Sequence, residues 1–138
     1  LFIDLDGFKA YNDKYGHQMG DKLLTGLAKV ILDNVRKDVD SAYRYGGDEF
    51  VIILPHAKRR QGLMVAERLL NNFNKRNVSS TGLSIGLAKL EGSGETLKES
   101  LESLIRMADQ AAYSAKTNGG NQVCDEQGQI APSRLSLV

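Results

Sequence analysis

The sequence predicts an α/β (α+β) sandwich, with a central mixed β-sheet flanked by helices. Short apolar runs rich in strand formers alternate with longer stretches in which apolar residues recur at helical spacing. Two of the short runs flank Gly46-Gly47-Asp48-Glu49 so closely that they read as an antiparallel hairpin. That hairpin sets the chain apart from a doubly wound dinucleotide fold, and neither a Gly-x-Gly-x-x-Gly turn nor a Walker P-loop occurs.

Taken in order, "LFIDL" opens as a strand, with Asp4 and Asp6 near its end. A short helical segment follows at Gly7-Phe8-Lys9. From Gly20 to Val35 the residues Leu23, Leu24, Leu27, Val30, Ile31 and Val35 form one helical stripe. "SAYRY" and "FVIIL" are the hairpin strands, and Pro55 ends the second. Leu63, Ala66, Leu69, Leu70 and Phe73 mark the next helix. "GLSIGLAKL" alternates Leu83, Ile85 and Leu87 at strand period before Gly92-Ser93-Gly94 breaks it. Thr96 and Glu99 have capping-box spacing and open a last helix. Its stripe is Leu97, Leu101, Leu104, Ile105, Ala108, Ala112 and Ala115, and Gly119-Gly120 stops it. "NQVC" reads as a final short strand, which makes residues 1–124 one domain and 125–138 a polar, loose tail.

Composition narrows the function classes. The 138 residues fit one compact domain, and a net charge of +1 gives no basic excess for nucleic acid. No apolar run is long enough to span a membrane. Cys124 is the single cysteine, which suits a reducing cytosol, so the expected location is cytoplasmic. A chain that opens directly on a core strand reads as a fragment of a longer protein, whose full length has room for a membrane anchor elsewhere.

Three groups of residues point to chemistry. Asp4 ends the first strand, and Asp48 and Glu49 lie at the hairpin tip. If the hairpin pairs beside that strand, the carboxylates converge and repel, unless a hard cation such as Mg²⁺ lies among them. Strand alternation favours Asp48 over Glu49 as the partner of Asp4. The plain alternative is a solvated glycine turn. Gly7-Phe8-Lys9 opens a helix whose N–H groups favour anions, and Lys116 adds charge at the end of the last helix. Asn12 and Asp21 suit a purine edge, because a carboxylate accepts both N1–H and the amine of guanine. Asp21 reads equally as an acid in a helix's first turn. Two histidines and one cysteine leave no zinc cluster, and Gly16-His17 shapes a turn.

"DLDGFKAYNDKYGHQMGD", "RYGGDEF", "LSIGLA" and "ADQAAYSAK" occur in that order. Together they resemble the GGDEF domain of diguanylate cyclases, from Leu1 to about Val123. The family's amino-terminal helix is missing. The resemblance implies a fold similar to the class III nucleotide cyclase core, and condensation of two GTP into cyclic di-GMP with loss of pyrophosphate. It implies Mg²⁺ or Mn²⁺, two ions per active site, on Asp4, Asp48, Glu49 and the Leu5 carbonyl. Glu49 and Asp48 are then catalytic, while Phe8, Lys9 and Lys116 contact the phosphates. Asn12 and Asp21 read guanine, and Gly46 and Gly47 let the backbone approach the nucleotide. A homodimer, and an upstream sensor or regulatory domain, complete the expected partners.

Two departures qualify this. An inhibitory product site in the family is Arg-x-x-Asp; here Lys37 and Asp40 match it, with Arg36 one place early and Arg68 as a supporting residue. The site reads as degenerate, because lysine lacks the guanidinium fork, and Lys37→Arg is expected to tighten product binding. Gly120 stands where many members carry an arginine, so weaker GTP binding is expected. The alternative function is a GTP- or cyclic di-GMP-binding regulatory module of little or no activity.

Overall fold

A computed structural model describes residues 1–76, 79–92 and 96–128. The chain folds as β1 (Phe2–Leu5), α1 (Phe8–Tyr15), α2 (His17–Asn34), β2 (Ser41–Arg44), β3 (Glu49–Ile53), α3 (Arg59–Arg76), β4 (Leu83–Leu87), α4 (Leu97–Thr117) and β5 (Gln122–Asp125). The strands make one mixed sheet in the order β2-β3-β1-β4-β5. All neighbours are antiparallel except β4 and β5, which the α4 crossover makes parallel.

Side-chain alternation sorts the layers. Leu1, then Ile3 and Leu5 of β1, with Phe50, Ile52, Leu83, Ile85, Leu87 and Val123, face α2 and α3 and form the main core. Phe2 turns to the opposite face, where α4 packs through Ala108 and Ala112. Small residues matter on that side. A Cβ on Gly86 would lie 1.9 Å from the Ala108 carbonyl oxygen, so glycine lets helix and sheet backbones nearly touch. Asp4 shares the α4 face with Phe2, because it lies two residues further along the same strand.

Most expected elements are present, including the Thr96–Glu99 capping box and the stop at Gly119-Gly120. Three points differ. The segment after Gly7 is a full helix, and α2 begins at His17 rather than Gly20. Gly16, at φ +87°, is the only corner between them, so polar residues continue the helix ahead of its apolar stripe. The expected stripe of α4 is too long at its start: Leu97 and Leu101 are exposed, and the helix buries Ala108, Ala111, Ala112 and Ala115 against the sheet. Finally, β5 extends to Asp125, which is buried and paired with Arg59 at the start of α3. Ser93, Gly94 and residues 129–138 of the expected tail lie outside the described residues.

Candidate active site

Four of the candidate side chains, Asp4, Asp48, Glu49 and Lys116, meet at the end of β1. Leu5 N–H donates to the Asp48 carbonyl, 3.2 Å away, which ties the hairpin tip to the strand end. The β1–β3 register places Asp4 directly opposite Glu49, and such a pair projects its side chains to one face. The expectation that alternation favours Asp48 is therefore corrected: β3 begins at Glu49, and Asp48 precedes it in the turn. Asp48 still acts on Asp4 through its charge, more strongly than Glu49 does.

Asp4 sits under strain. Burial pushes its carboxyl pKa up to about 6, and the Asp48 charge adds to this, while the Lys116 ammonium opposes it. Lys116 Nζ stands 3.2 Å from Asp4 Oδ2. The other oxygen, Oδ1, is buried without a hydrogen-bond partner. Glu49 is raised in the same direction by burial, then by Asp48 and Asp109. An acceptor stranded beside like charges is an environment that a cation relieves, so the residues present fit a divalent ion. Among the described residues no three histidine, cysteine, aspartate or glutamate side chains stand at metal-ligand spacing. The carboxylates thus offer an open seat, which suits an ion that shares its remaining ligands with phosphates.

The hairpin tip is held from behind by Arg44, a residue that motif reading passed over. Its guanidinium donates to the carbonyls of Gly46 and Gly47, the shortest contact being 2.7 Å. A Cβ on Gly46 would meet Glu49 Oε2 at 2.7 Å, whereas Gly47 faces open space. The first glycine therefore makes room for the Glu49 carboxylate. Asp6 was also passed over as a functional group. It accepts from Ser84 Oγ at 2.5 Å and from Asn121 N–H at 2.7 Å, joining β1, β4 and the turn after α4. A charged residue two places after Asp4 was the available signal.

On the other side, α1 and α2 bring Asn12 to Gly20, the sequence neighbour of Asp21. Gly7 starts α1 at φ +66°, followed by Phe8, half-buried against the core, and Lys9, which is exposed. Asn12 lies against Gly20, next to Asp21. Asp21 lines a cleft of about 600 Å³ between α2 and the hairpin, walled by Leu24, Ala28, Phe50 and Arg44. Asp4, Asp48, Glu49 and Lys116 thus gather at the end of β1, while Asp21 is the one candidate residue that lines the cleft.

The profile described as diguanylate cyclase, GGDEF domain, matches residues 1–122. The chain belongs to this family. It is 39% identical to the diguanylate cyclase DosC of Escherichia coli K12 over 130 residues, covering 89% of the chain and 27% of the relative. Identity is also 39% to the diguanylate cyclase VdcA of Vibrio cholerae, covering 89% and 37%. The chain thus spans roughly a quarter to a third of the length of these curated relatives. Among solved structures, the GGDEF domain of DgcB from Caulobacter crescentus, in complex with c-di-GMP, superposes with a TM-score of 0.82 at 29% identity. That match covers 91% of this chain and 75% of the other. An active GGEEF domain of a Vibrio cholerae diguanylate cyclase gives 0.80 at 32% identity, covering 91% and 80%.

In this GGDEF domain the loop before the hairpin departs from the expected product site. Asp40 is gripped by Arg36, whose N–H, Nε and Nη2 all donate to its carboxylate at 2.7–3.2 Å. The Asp40 side chain is only 1% exposed. The extra residue between them is absorbed by a left-handed turn at Asp38, φ 61°. Arg68 donates to the Asn34 side chain and carbonyl, and Lys37 remains exposed. The expected set of Lys37, Asp40 and Arg68 is not brought together with its acceptors and donors free.

Gly120 has a local reason as well. It adopts φ +72°, and a Cβ there would meet Asp6 Oδ2 at 2.8 Å. The Asp6 tether occupies the place from which an arginine would start.

Proposed function

We propose that this domain condenses two GTP molecules into cyclic di-GMP, the 3′-hydroxyl of one attacking the α-phosphate of the other as pyrophosphate leaves. The observation that carries the reading is Asp4: a buried, unpartnered carboxylate oxygen flanked by Asp48, Glu49 and Lys116. Family membership and the named cyclase relatives support it. Asp4, Asp48, Glu49 and the Leu5 carbonyl would hold Mg²⁺ or Mn²⁺, two ions per active site. Bound there, the metal would acidify a hydroxyl and neutralise phosphoryl charge.

The chain's own groups supply the rest. Glu49, with its carboxyl pKa raised, is suited to hold a proton taken from the attacking hydroxyl. Lys116 and Lys9 bring positive charge to the phosphates, and Phe8 shapes the start of α1 beneath them. Gly46 and Gly47 keep the hairpin tip low so that the nucleotide approaches its backbone. Asn12 and Asp21 take the guanine edge, Asp21 from the lining of the cleft. Each domain presents one substrate, so the productive unit is a two-fold homodimer, with an upstream regulatory domain controlling it.

A second reading, a domain that binds nucleotide with little turnover, is favoured by Gly120. Its left-handed φ and the close Asp6 carboxylate put strain on any side chain at the position where many members carry an arginine. The loss of one charge-assisted contact costs about 1.5–3 kcal/mol, which weakens GTP binding and leaves the metal seat whole. Incubation with Mg²⁺ and GTP, with product identification, decides between the two. Cyclic di-GMP formation supports the cyclase; retained GTP binding without product supports the module.

We further infer that the product site is closed by Arg36, because Asp40 is buried under it and Arg68 is committed to Asn34.

A further inference from the structure

The place where α1 meets α2 carries an unexplained cost. Asn12 Oδ1 is buried with no hydrogen-bond partner, and such acceptors are rare in folded proteins. It lies against Gly20: a Cβ built there would be 1.8 Å from Asn12 Oδ1, 2.8 Å from Cγ and 3.3 Å from Nδ2. Gly20 is buried inside α2, where glycine weakens a helix relative to alanine. Gly26, six residues on in the same helix, has nothing within 4 Å of the corresponding position. Space is thus reserved at one glycine of α2 and not at the other. The backbone reinforces the contact, since Gly16 N–H donates to Asn12 O at 2.7 Å and Gly20 N–H to Gly16 O at 3.2 Å.

We propose that Gly20 is a specificity-determining positioning residue, whose bare Cα seats the Asn12 amide beside Asp21. Any side chain at position 20 would push the amide off its helix–helix contact. The oxygen is turned onto the glycine, and the same contact sets how the amide meets a base held by Asp21. The proposal rests on the reading of Asn12 and Asp21 as guanine contacts.

The test measures binding of a non-hydrolysable GTP analogue with Mg²⁺, and thermal melting, for Gly20→Ala, Asn12→Ala, the double variant and Gly26→Ala. Gly20→Ala and Asn12→Ala should each weaken binding about tenfold, the equivalent of one hydrogen bond to the base. The double variant should be no weaker than Asn12→Ala alone, because the amide that clashes is gone. In that background Gly20→Ala should also raise the melting temperature by a few degrees, as an alanine in a helix does. Gly26→Ala should raise melting and leave affinity unchanged. Wild-type affinity in Gly20→Ala, with Asn12→Ala weakened, overturns this inference alone. Losses that multiply in the double variant overturn it too, since Gly20 would then act without Asn12. Unchanged affinity in Asn12→Ala overturns the guanine reading on which the inference stands.

Discussion

Asp4 concentrates the electrostatics of the site in one side chain. Its folded pKa of about 6 lies above the ordinary value of 3.8. Between those values the folded state binds more protons than the unfolded state, so its contribution to stability falls as pH rises from about 4 to about 6. A bound divalent ion reverses the balance, because it requires the charged form. Mn²⁺ affinity measured with a GTP analogue should therefore weaken as pH is lowered through 6, and Asp4→Asn should make that dependence shallower, Glu49 supplying what is left. A flat profile in the unmodified protein would contradict the assignment of Asp4 as a ligand. Asp48→Ala should abolish cyclic di-GMP formation while the circular dichroism spectrum is unchanged, since the residue lies in a turn outside the core. Near-normal turnover would rule out its metal role.

Two elements set the geometry in which these residues act. The α4 helix carries Lys116 to Asp4 only because Gly86 lets it lie against the sheet. Gly86→Ala should cost about 3 kcal/mol, as overpacking against backbone does, and urea denaturation would show it as a lowered midpoint. The loop between α2 and β2 holds Lys37 and Asp40 of the proposed product site. Lys37→Arg alone, expected from sequence to tighten product binding, should now have little effect, because Arg36 keeps both Asp40 oxygens. Arg36→Ala with Lys37→Arg should produce cyclic di-GMP binding visible by calorimetry. Binding in Lys37→Arg alone would show that Arg36 yields to the ligand.

At the scale of the whole molecule, one domain carries one set of the proposed guanine- and phosphate-binding residues, yet the proposed reaction joins two nucleotides. Initial rates at saturating GTP should therefore rise with the square of domain concentration below the dimer dissociation constant, then linearly above it. A specific rate independent of dilution, in a protein shown to be monomeric by sedimentation, would exclude the dimer. On this scale the described part of the chain contains no helix long and apolar enough to cross a membrane. The β2–β3 end of the α4 face exposes Tyr43, Tyr45 and Ile53.

The sequence by itself determined the element types, the hairpin, the capping box and the residues of the candidate site. Those features follow from local rules: apolar period, glycine turn chemistry and helix-end hydrogen bonds act over a few residues. Four motifs also carried the family, since their order and spacing are properties of the chain alone. What the sequence left open depended on contacts between distant segments. The pairing of Asp4 with Glu49 needed the β1–β3 register, which no local pattern specifies. The exposure of Leu97 and Leu101 followed from α4 burying its later residues, Ala108 to Ala115, against other elements. Lys116 beside Asp4, Asn12 on Gly20 and Asp6 across the α4–β5 turn are meetings of residues on different elements. The hold of Arg36 on Asp40 spans only four residues, yet it depended on a left-handed turn at Asp38, a conformation that aspartate tolerates but does not by itself impose. Local chemistry wrote the parts, and packing on a shared sheet decided which of them touch.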